Sequence, residues 1–116
     1  MRLIIWKMKM NKYTELSDFE VNKKVAEKLG LAYEVTRYGV VTRMSNKEQW
    51  REFNPCNNPA DAMPIIIENK IGLSPMYHSN KWTADCLDYD FISVNKNPLR
   101  AAMELFLLMK DAENEG

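Results

Sequence analysis

The feature that most constrains this fold is a segment near the C-terminus, residues 99–112, in which almost every residue is apolar. Asn97 and Pro98 precede it, a favoured cap and a favoured first helical residue, so the segment predicts an α-helix. On a helical wheel a stripe only about 40° wide holds its polar residues, Arg100, Glu104 and Asp111. Such a helix must be buried on several sides. We expect it to pack between a sheet and another helix of the same chain, with a homo-oligomer formed through residues 98–112 as the alternative.

An earlier helix is predicted to begin at Ser17. Ser17 and Glu20 have the spacing of a capping box, and Gly30 follows where a left-handed residue ends a helix. The apolar residues between them share one face, which indicates a half-exposed, amphipathic helix. Asn22 lies within that face and needs a polar partner, and we expect it to bond a neighbouring loop rather than a ligand.

The middle of the chain alternates between strand-like and helix-like segments. Residues 33–44 favour a strand pair or one bent strand, and residues 45–53 favour one helical turn. Asn58 and Pro59 then predict a helix running towards Lys70, in which Pro64 should cause a kink or a short first segment. Three short extended segments follow, residues 73–77, 82–87 and 91–94. We therefore predict an α+β fold, a small antiparallel sheet with about three helices.

Composition places the chain among ordinary globular proteins, with 46% hydrophobic and 28% charged residues. Its 116 residues fit one domain. We predict a flexible extension over residues 1–12, one globular domain over 13–112 and an acidic tail over 113–116, with translation starting at Met1, Met8 or Met10. Sixteen basic residues balance sixteen acidic ones, which disfavours nucleic acid, because each phosphate contact needs a Lys or Arg.

Apolar runs and cysteines suggest a compartment. Residues 3–6 are too short an apolar run for a secretory signal, and no run approaches the roughly twenty residues that span a membrane. Cys56 and Cys86 lie without CxxC spacing, which favours free thiols in a reducing compartment. We therefore expect a cytoplasmic protein with no membrane contact. Without a Gly-rich phosphate loop or Walker motif, no cofactor is predicted.

The block most suggestive of chemistry is residues 54–61, which stands directly before a predicted helix. Helix-start amides attract anions and lower thiol pKa values, so Cys56 could be a nucleophile or part of an anion site. The favoured interpretation is that these Asn and Pro residues only cap and turn the chain. No residue is predicted to be catalytic, and the candidate binding residues are Trp50, Phe53, Cys56, Asn57, Asn58 and Asp61.

Metal binding has little support in the sequence. His78 is the only histidine, and a zinc site usually takes more than one imidazole or thiolate. Asp85, Asp88 and Asp90 form an acidic cluster without the glycine and terminal glutamate of an EF-hand loop. We interpret the cluster as a solvated loop.

Three segments carry a resemblance to a known family: residues 15–22 (ELSDFEVN), 53–62 (FNPCNNPADA) and 97–102 (NPLRAA). In order and spacing the chain resembles the phage NinX-like family from about Tyr13 to Met109. The resemblance implies a small phage protein of the helix/sheet/helix sandwich type, located in the cytoplasm of a bacterial host. It implies no activity and no catalytic residues.

Three interpretations of function follow. The leading one is a phage accessory protein that binds a host or phage protein and does not catalyse a reaction. The alternative is a nucleic-acid binder that uses its aromatic residues beside a local basic face. The second alternative is a small Cys-dependent enzyme centred on Cys56.

Overall fold

The computed structural model describes residues 11–115. Apart from residues 11 and 12, the predicted N-terminal extension lies outside the described residues, as do the candidate starts Met1, Met8 and Met10 and the last residue of the acidic tail, Gly116.

Three helices and six strands make up the described residues. In chain order they are α1 (Asp18–Leu29), β1 (Ala32–Thr36), β2 (Gly39–Arg43), β3 (Arg51–Glu52), α2 (Pro59–Glu68), β4 (Gly72–Pro75), β5 (Trp82–Asp85), β6 (Ile92–Asn95) and α3 (Pro98–Glu115). Strands β1-β2-β3 form sheet A and strands β4-β5-β6 form sheet B, both antiparallel. The predicted α+β class with about three helices is confirmed. The strands form two sheets where one was predicted, because α2 separates them and each packs on a different helix.

Helix α1 begins and ends where the sequence predicts. The Ser17 hydroxyl accepts a hydrogen bond from the Glu20 amide at 3.1 Å, and the Glu20 carboxylate accepts one from the Ser17 amide at 3.3 Å. This is the predicted capping box. Gly30 follows the helix with φ 75°, a left-handed conformation that residues with a Cβ rarely adopt, and its amide donates to the carbonyls of Ala26 and Glu27.

The middle of the chain both confirms and corrects the predictions. The predicted strand pair is the hairpin β1–β2. Residues 45–53 form turns and then β3 instead of a helical turn, because the Phe53 amide donates to the Val40 carbonyl at 2.9 Å and both side chains become buried. Helix α2 runs unbroken through Pro64, so the short first segment is not found. Pro64 removes only the bond to the carbonyl of Ala60, an exposed residue that water can reach.

Helix α3 lies at the centre of the molecule. It packs against sheet B on one side and against α1 and α2 on the others, while α1 also packs on sheet A. Residues 100–107 are at most 5% exposed. The buried Ser93 hydroxyl of β6 donates to the Ala101 carbonyl at 2.6 Å and joins sheet B to this helix. The predicted packing between a sheet and a helix is confirmed, and the chain itself covers the apolar surplus of α3.

Helices α1 and α3 run parallel, so the molecule has two distinct ends. Asp18 at the start of α1 contacts Arg100 near the start of α3, and Lys28 near the end of α1 lies 3.8 Å from Asp111 near the end of α3. Helix α2 begins at the same end as the other two, because Asn57 just before it donates to the Asp18 carboxylate at 3.1 Å. Within residues 11–115, no helix combines the length and the apolar character needed to cross a membrane.

Candidate functional site: the cluster at the helix starts

The three segments that carry the family resemblance meet in space where the helices begin. The loop of residues 54–58 lies against the starts of α1 and α3, and polar side chains from all three segments bond one another there. We call this group the helix-start cluster: Asp18, Asn22, Asn54, Asn57, Asn97, Arg100 and Glu104.

Asn97 caps α3 and holds the loop at the same time. Its side-chain oxygen accepts from the amides of Leu99 at 2.9 Å and Arg100 at 3.4 Å, in the manner of an N-cap. Its side-chain nitrogen donates to the Cys56 carbonyl at 2.7 Å and to the Asn57 side-chain oxygen at 3.2 Å. One amide therefore satisfies the start of a helix and fixes the neighbouring loop.

Asn22 anchors the same loop from the side of α1. Its nitrogen donates to the Asn54 side-chain oxygen at 2.8 Å, and its oxygen accepts from the Cys56 amide at 3.1 Å. Asn22 is buried, so these bonds replace the water that both groups lose on folding. The prediction that Asn22 bonds a neighbouring loop is confirmed.

Arg100 is the most connected side chain of the cluster. Its Nε donates to Glu104 at 2.6 Å and one terminal nitrogen donates to Asp18 at 2.6 Å. The other terminal nitrogen donates to the backbone carbonyls of Tyr13 at 2.8 Å and Leu16 at 2.7 Å. Burial lowers the pKa of Arg100, but the bonds to Asp18 and Glu104 outweigh burial and raise it, so the guanidinium stays charged.

Glu104 is the least exposed charged side chain among residues 11–114. Its side chain is 0% exposed and accepts from Arg100 and, at 3.1 Å, from the side-chain amide of Asn11. The polar stripe of α3 therefore does not face solvent. It faces the chain segment that precedes α1, which also reaches Asp111 through the Tyr13 hydroxyl.

The positive ends of three helix dipoles converge at this cluster, which is where an anion would be attracted. Here the negative charge at the helix starts comes from carboxylates of the chain itself. Asp18 lies in the first turn of α1, and Asp61 lies in the first turn of α2 and accepts from the Asn54 amide at 2.9 Å. The cluster's side chains bond mainly one another and the neighbouring backbone, which is the arrangement of a structural junction.

Cys56 lies inside this junction and not at its surface. It is 0% exposed, and its Sγ lies 3.8 Å from the Asp18 carbonyl. Burial first, and then the negative charge of Asp18, raise the pKa of Cys56 to about 12, although the positive charge of Arg100 opposes them. The thiol therefore stays protonated at neutral pH, whereas an attacking cysteine needs a lowered pKa.

The other predicted binding residues fall into two groups. Phe53 is buried, Asn58 caps α2 by accepting from the Ala60 amide at 3.0 Å, and Asn57 is exposed but bonds Asp18 and Asn54. Trp50 lies apart from the cluster, beside the Arg43 guanidinium, whose carbon is 4.3 Å from the indole ring centre. The structure thus joins the predicted residues near α2 and separates Trp50 from them, and their binding role stays a prediction.

Six residues of the cluster were absent from the predicted site: Asp18, Asn22, Asn54, Asn97, Arg100 and Glu104. Two features of the sequence pointed to these residues. The three charged residues lie within or directly after the segments of the resemblance, and Arg100 and Glu104 stand four residues apart on an otherwise apolar helix. A paired charge in that position favours a buried ion pair over a solvated face.

Large apolar side chains are exposed on α2 and close to its C-terminal end. Met63 and Ile67 stand one turn apart on α2 with 42% and 68% of their surfaces exposed, and Leu87 is 103% exposed. Leu87 follows Cys86, whose Sγ lies 3.7 Å from the Asn69 carbonyl just beyond α2. We call Met63, Ile67 and Leu87 the far-end surface. Among residues 11–115, no group of three His, Cys, Asp or Glu side chains is arranged to hold a metal ion.

Comparison with known proteins gives one family. A family model described as Bacteriophage P22, NinX matches residues 12–110 of the chain. The match includes all three segments that form the helix-start cluster. Comparison with individually curated proteins gives no match.

Proposed function

The chain belongs to the bacteriophage P22 NinX family, and from that premise we propose that it is a phage accessory protein that acts by binding another protein. The partner is a protein of the phage or of its bacterial host, and the binding takes place in the host cytoplasm. The contact surface is the far-end surface, and the helix-start cluster serves to hold the fold.

The exposure of the far-end surface is the observation that carries the proposal. Single exposed apolar residues are common, but Met63, Ile67 and Leu87 come from α2 and from the residue after Cys86, which contacts the end of α2. Exposed apolar groups of this kind mark protein contact sites, because burying them against a partner releases water. A few well-packed side chains usually supply most of the free energy at such contacts.

The helix-start cluster supports the proposal because it counts against the Cys-dependent alternative. Its amides and carboxylates bond one another, and Cys56 is enclosed with a raised pKa. The segments that identify the family are thus explained by folding, and they do not present a nucleophile.

The nucleic-acid alternative is less well supported than protein binding. Base stacking needs an aromatic face that a base can reach. At Trp50 the Arg43 guanidinium already lies 4.3 Å from the ring centre. The balanced charge of the chain adds no general attraction for phosphates.

The test is a pulldown of tagged protein from infected and uninfected host cells. The variant Ile67→Lys with Leu87→Lys places two charges on the far-end surface and should lose the partner. Gln49→Lys with Asn80→Lys adds the same charge at two exposed positions elsewhere and should retain it. Mass spectrometry of the eluate identifies the partner and its stoichiometry.

Each outcome of this pulldown decides something. One stoichiometric protein that binds the wild type and the control, but not the far-end variant, supports the proposal. A protein retained equally by all three places the contact elsewhere and contradicts the far-end surface. Nucleic acid in the eluate, lost at high salt, would favour the alternative function, and bait alone would contradict both.

A further inference from the structure

The exposed side of helix α2 is almost entirely apolar. Of its ten residues, the exposed ones are Pro59, Ala60, Met63, Pro64, Ile67 and Glu68. A surface helix normally presents charged and polar residues to solvent and keeps its apolar residues for the core. The buried side of α2 is apolar too, with Ala62, Ile65 and Ile66. The helix therefore has two apolar sides, and the described residues cover only the buried one.

Four of the exposed residues lie along one line of the helix. They are Ala60, Met63, Pro64 and Ile67, at the spacing i, i+3, i+4 and i+7, and we call them the α2 stripe. This spacing is the one through which a helix packs lengthwise against another helix. Ala60 has a short side chain, so a second backbone can approach closely at that end of the stripe. The shape of the stripe therefore fits a partner helix.

A backbone acceptor lies within the α2 stripe. Pro64 has no amide hydrogen, so the carbonyl of Ala60 lacks the donor that a helix normally supplies four residues later. Water can reach this carbonyl in the free protein, because Ala60 is exposed. A partner that covers the stripe displaces that water and must offer a donor of its own. Lysine and arginine side chains carry several donors and no acceptor, so they suit this position.

Negative charge borders the far-end surface. Glu68 directly follows the α2 stripe, and Asp85 and Asp88 lie on either side of Leu87 in the chain. All three carboxylates are exposed, and none makes an ion pair with another described residue. The negative end of the α2 dipole adds to them, since the last turn of α2 has no basic residue. Lys70, just beyond the helix, offsets only part of this charge.

From the stripe, the acceptor and the charge, we infer that the partner docks through an amphipathic helix with Lys or Arg beside its apolar face. The inference rests on the proposed function, whose contact surface it shares. The apolar face of the partner helix packs along the α2 stripe and on Leu87. Its basic residues face Glu68 and Asp88, and one of them donates to the Ala60 carbonyl. Opposite charges at the border of a contact speed the encounter and fix the orientation of the two proteins.

A second copy of this chain fits the far-end surface less well. A two-fold contact brings the same surface of both copies together. Glu68 and Asp88 would then approach an equal set of carboxylates, and like charges across a contact are costly. An acidic helix is disfavoured for the same reason.

Two designed helical peptides of equal length test the charge preference on the purified full chain. Both carry leucine at i, i+3, i+4 and i+7, and the flanking positions are lysine in one peptide and glutamate in the other. Fluorescence anisotropy of the labelled peptides measures the two Kd values. The lysine peptide should bind roughly tenfold or more tightly than the glutamate peptide. The difference should shrink at about 1 M salt, where the screening length is about 3 Å.

Three double variants assign the binding to the far-end surface. Glu68→Lys with Asp88→Lys should raise the Kd of the lysine peptide by roughly tenfold. Glu34→Lys with Glu52→Lys makes the same change in net charge at two exposed positions of sheet A and should leave that Kd unchanged. Ile67→Ser with Leu87→Ser removes apolar surface without changing charge and should weaken the binding of both peptides.

The outcomes separate this inference from the proposed function. Equal Kd values for the two peptides, tighter binding of the glutamate peptide, binding of neither peptide, or equal weakening by the sheet A control would overturn the inference. If the serine variant alone weakens both peptides, the apolar contact stands and only the charge preference is wrong. If no variant changes the binding, the far-end surface itself is wrong. Should Glu68→Lys with Asp88→Lys fail to fold, the two peptides on the wild type still decide the charge preference.

Discussion

The helix-start cluster and the far-end surface differ in which kind of side chain they bury and which kind they expose. At the helix starts, Asn22, Arg100 and Glu104 are buried and bond polar partners, with Glu104 at 0% exposure. On the far-end surface, apolar side chains such as that of Leu87 are exposed to solvent. Burying polar groups and exposing apolar groups both cost free energy. Within this chain, only the buried polar groups are compensated, by the hydrogen bonds they make. In this chain, a segment rich in polar residues therefore forms part of the fold's own junction, and its polarity alone is no evidence of a binding site.

Removing Arg100 should have the largest effect on this contrast. Arg100→Met leaves the Glu104 carboxylate buried without its cation, and breaking such a pair costs about 3–5 kcal/mol. Urea unfolding measures the loss. Arg100→Met with Glu104→Gln should recover a large part of it, because no buried charge remains unpaired and the bond to Asn11 can persist, while Asp18 is partly exposed to water. A loss below about 1 kcal/mol, the range of surface pairs, would show that the cluster does not hold the fold.

Asn22→Ala should have the next largest effect. It leaves the buried Cys56 amide without a partner and removes one of the two donors to the Asn54 side-chain oxygen, which costs about 1–3 kcal/mol in the free energy of unfolding. The matched control is Asn57→Ala, which removes an exposed amide of the same cluster and should cost less than about 1 kcal/mol. Equal losses in the two variants would mean that the buried amide of Asn22 contributes no more to stability than the exposed amide of Asn57.

A smaller effect concerns pH. The pKa of Cys56 is about 12 in the folded chain and about 9 when unfolded, so the native thiol keeps its proton longer. Its contribution is present below pH 9 and declines as pH rises towards 12. We expect the free energy of unfolding to fall by about 1 kcal/mol between pH 8 and 10. Cys56→Ala should lack this part of the decline, and the same decline in both proteins would contradict the assignment to Cys56.

The same urea assay also tests whether the far-end surface contributes to the stability of the fold. Ile67→Lys with Leu87→Lys changes exposed side chains that hold nothing in place, so the free energy of unfolding should stay within about 0.5 kcal/mol of the wild type. A larger loss would mean that the far-end surface contributes to the fold, and a pulldown with that variant would then have to be interpreted through its stability.

Local chemistry predicted much of this fold. The capping box at Ser17, the left-handed Gly30 and the caps at Asn58 and Asn97 depend on residues within a few positions of each other, and all are found as predicted. Strand β3 was missed because its two residues are fixed by pairing with β2, which a local pattern does not contain. The division into two sheets was missed for the same reason.

The candidate site shows the same limit. The sequence predicted correctly that Asn22 needs a loop partner, because an amide on an apolar helix face must be satisfied. Placing Cys56 inside the junction required the positions of Asp18 and Asn97, which are about forty residues away in either direction. Its burial, and with it the raised pKa, is a property of the assembled chain.

The central position of α3 has a consequence for how the protein is made. This helix follows every other described element in the chain, so a ribosome synthesises it after α1, α2 and both sheets. Arg100 bonds the Leu16 carbonyl across 84 positions, and no shorter contact can replace that bond. A nascent chain that ends before α3 has hairpins and caps but no common core. We therefore expect the native packing to form only after α3 has left the ribosome, with the long loop closures slowing folding.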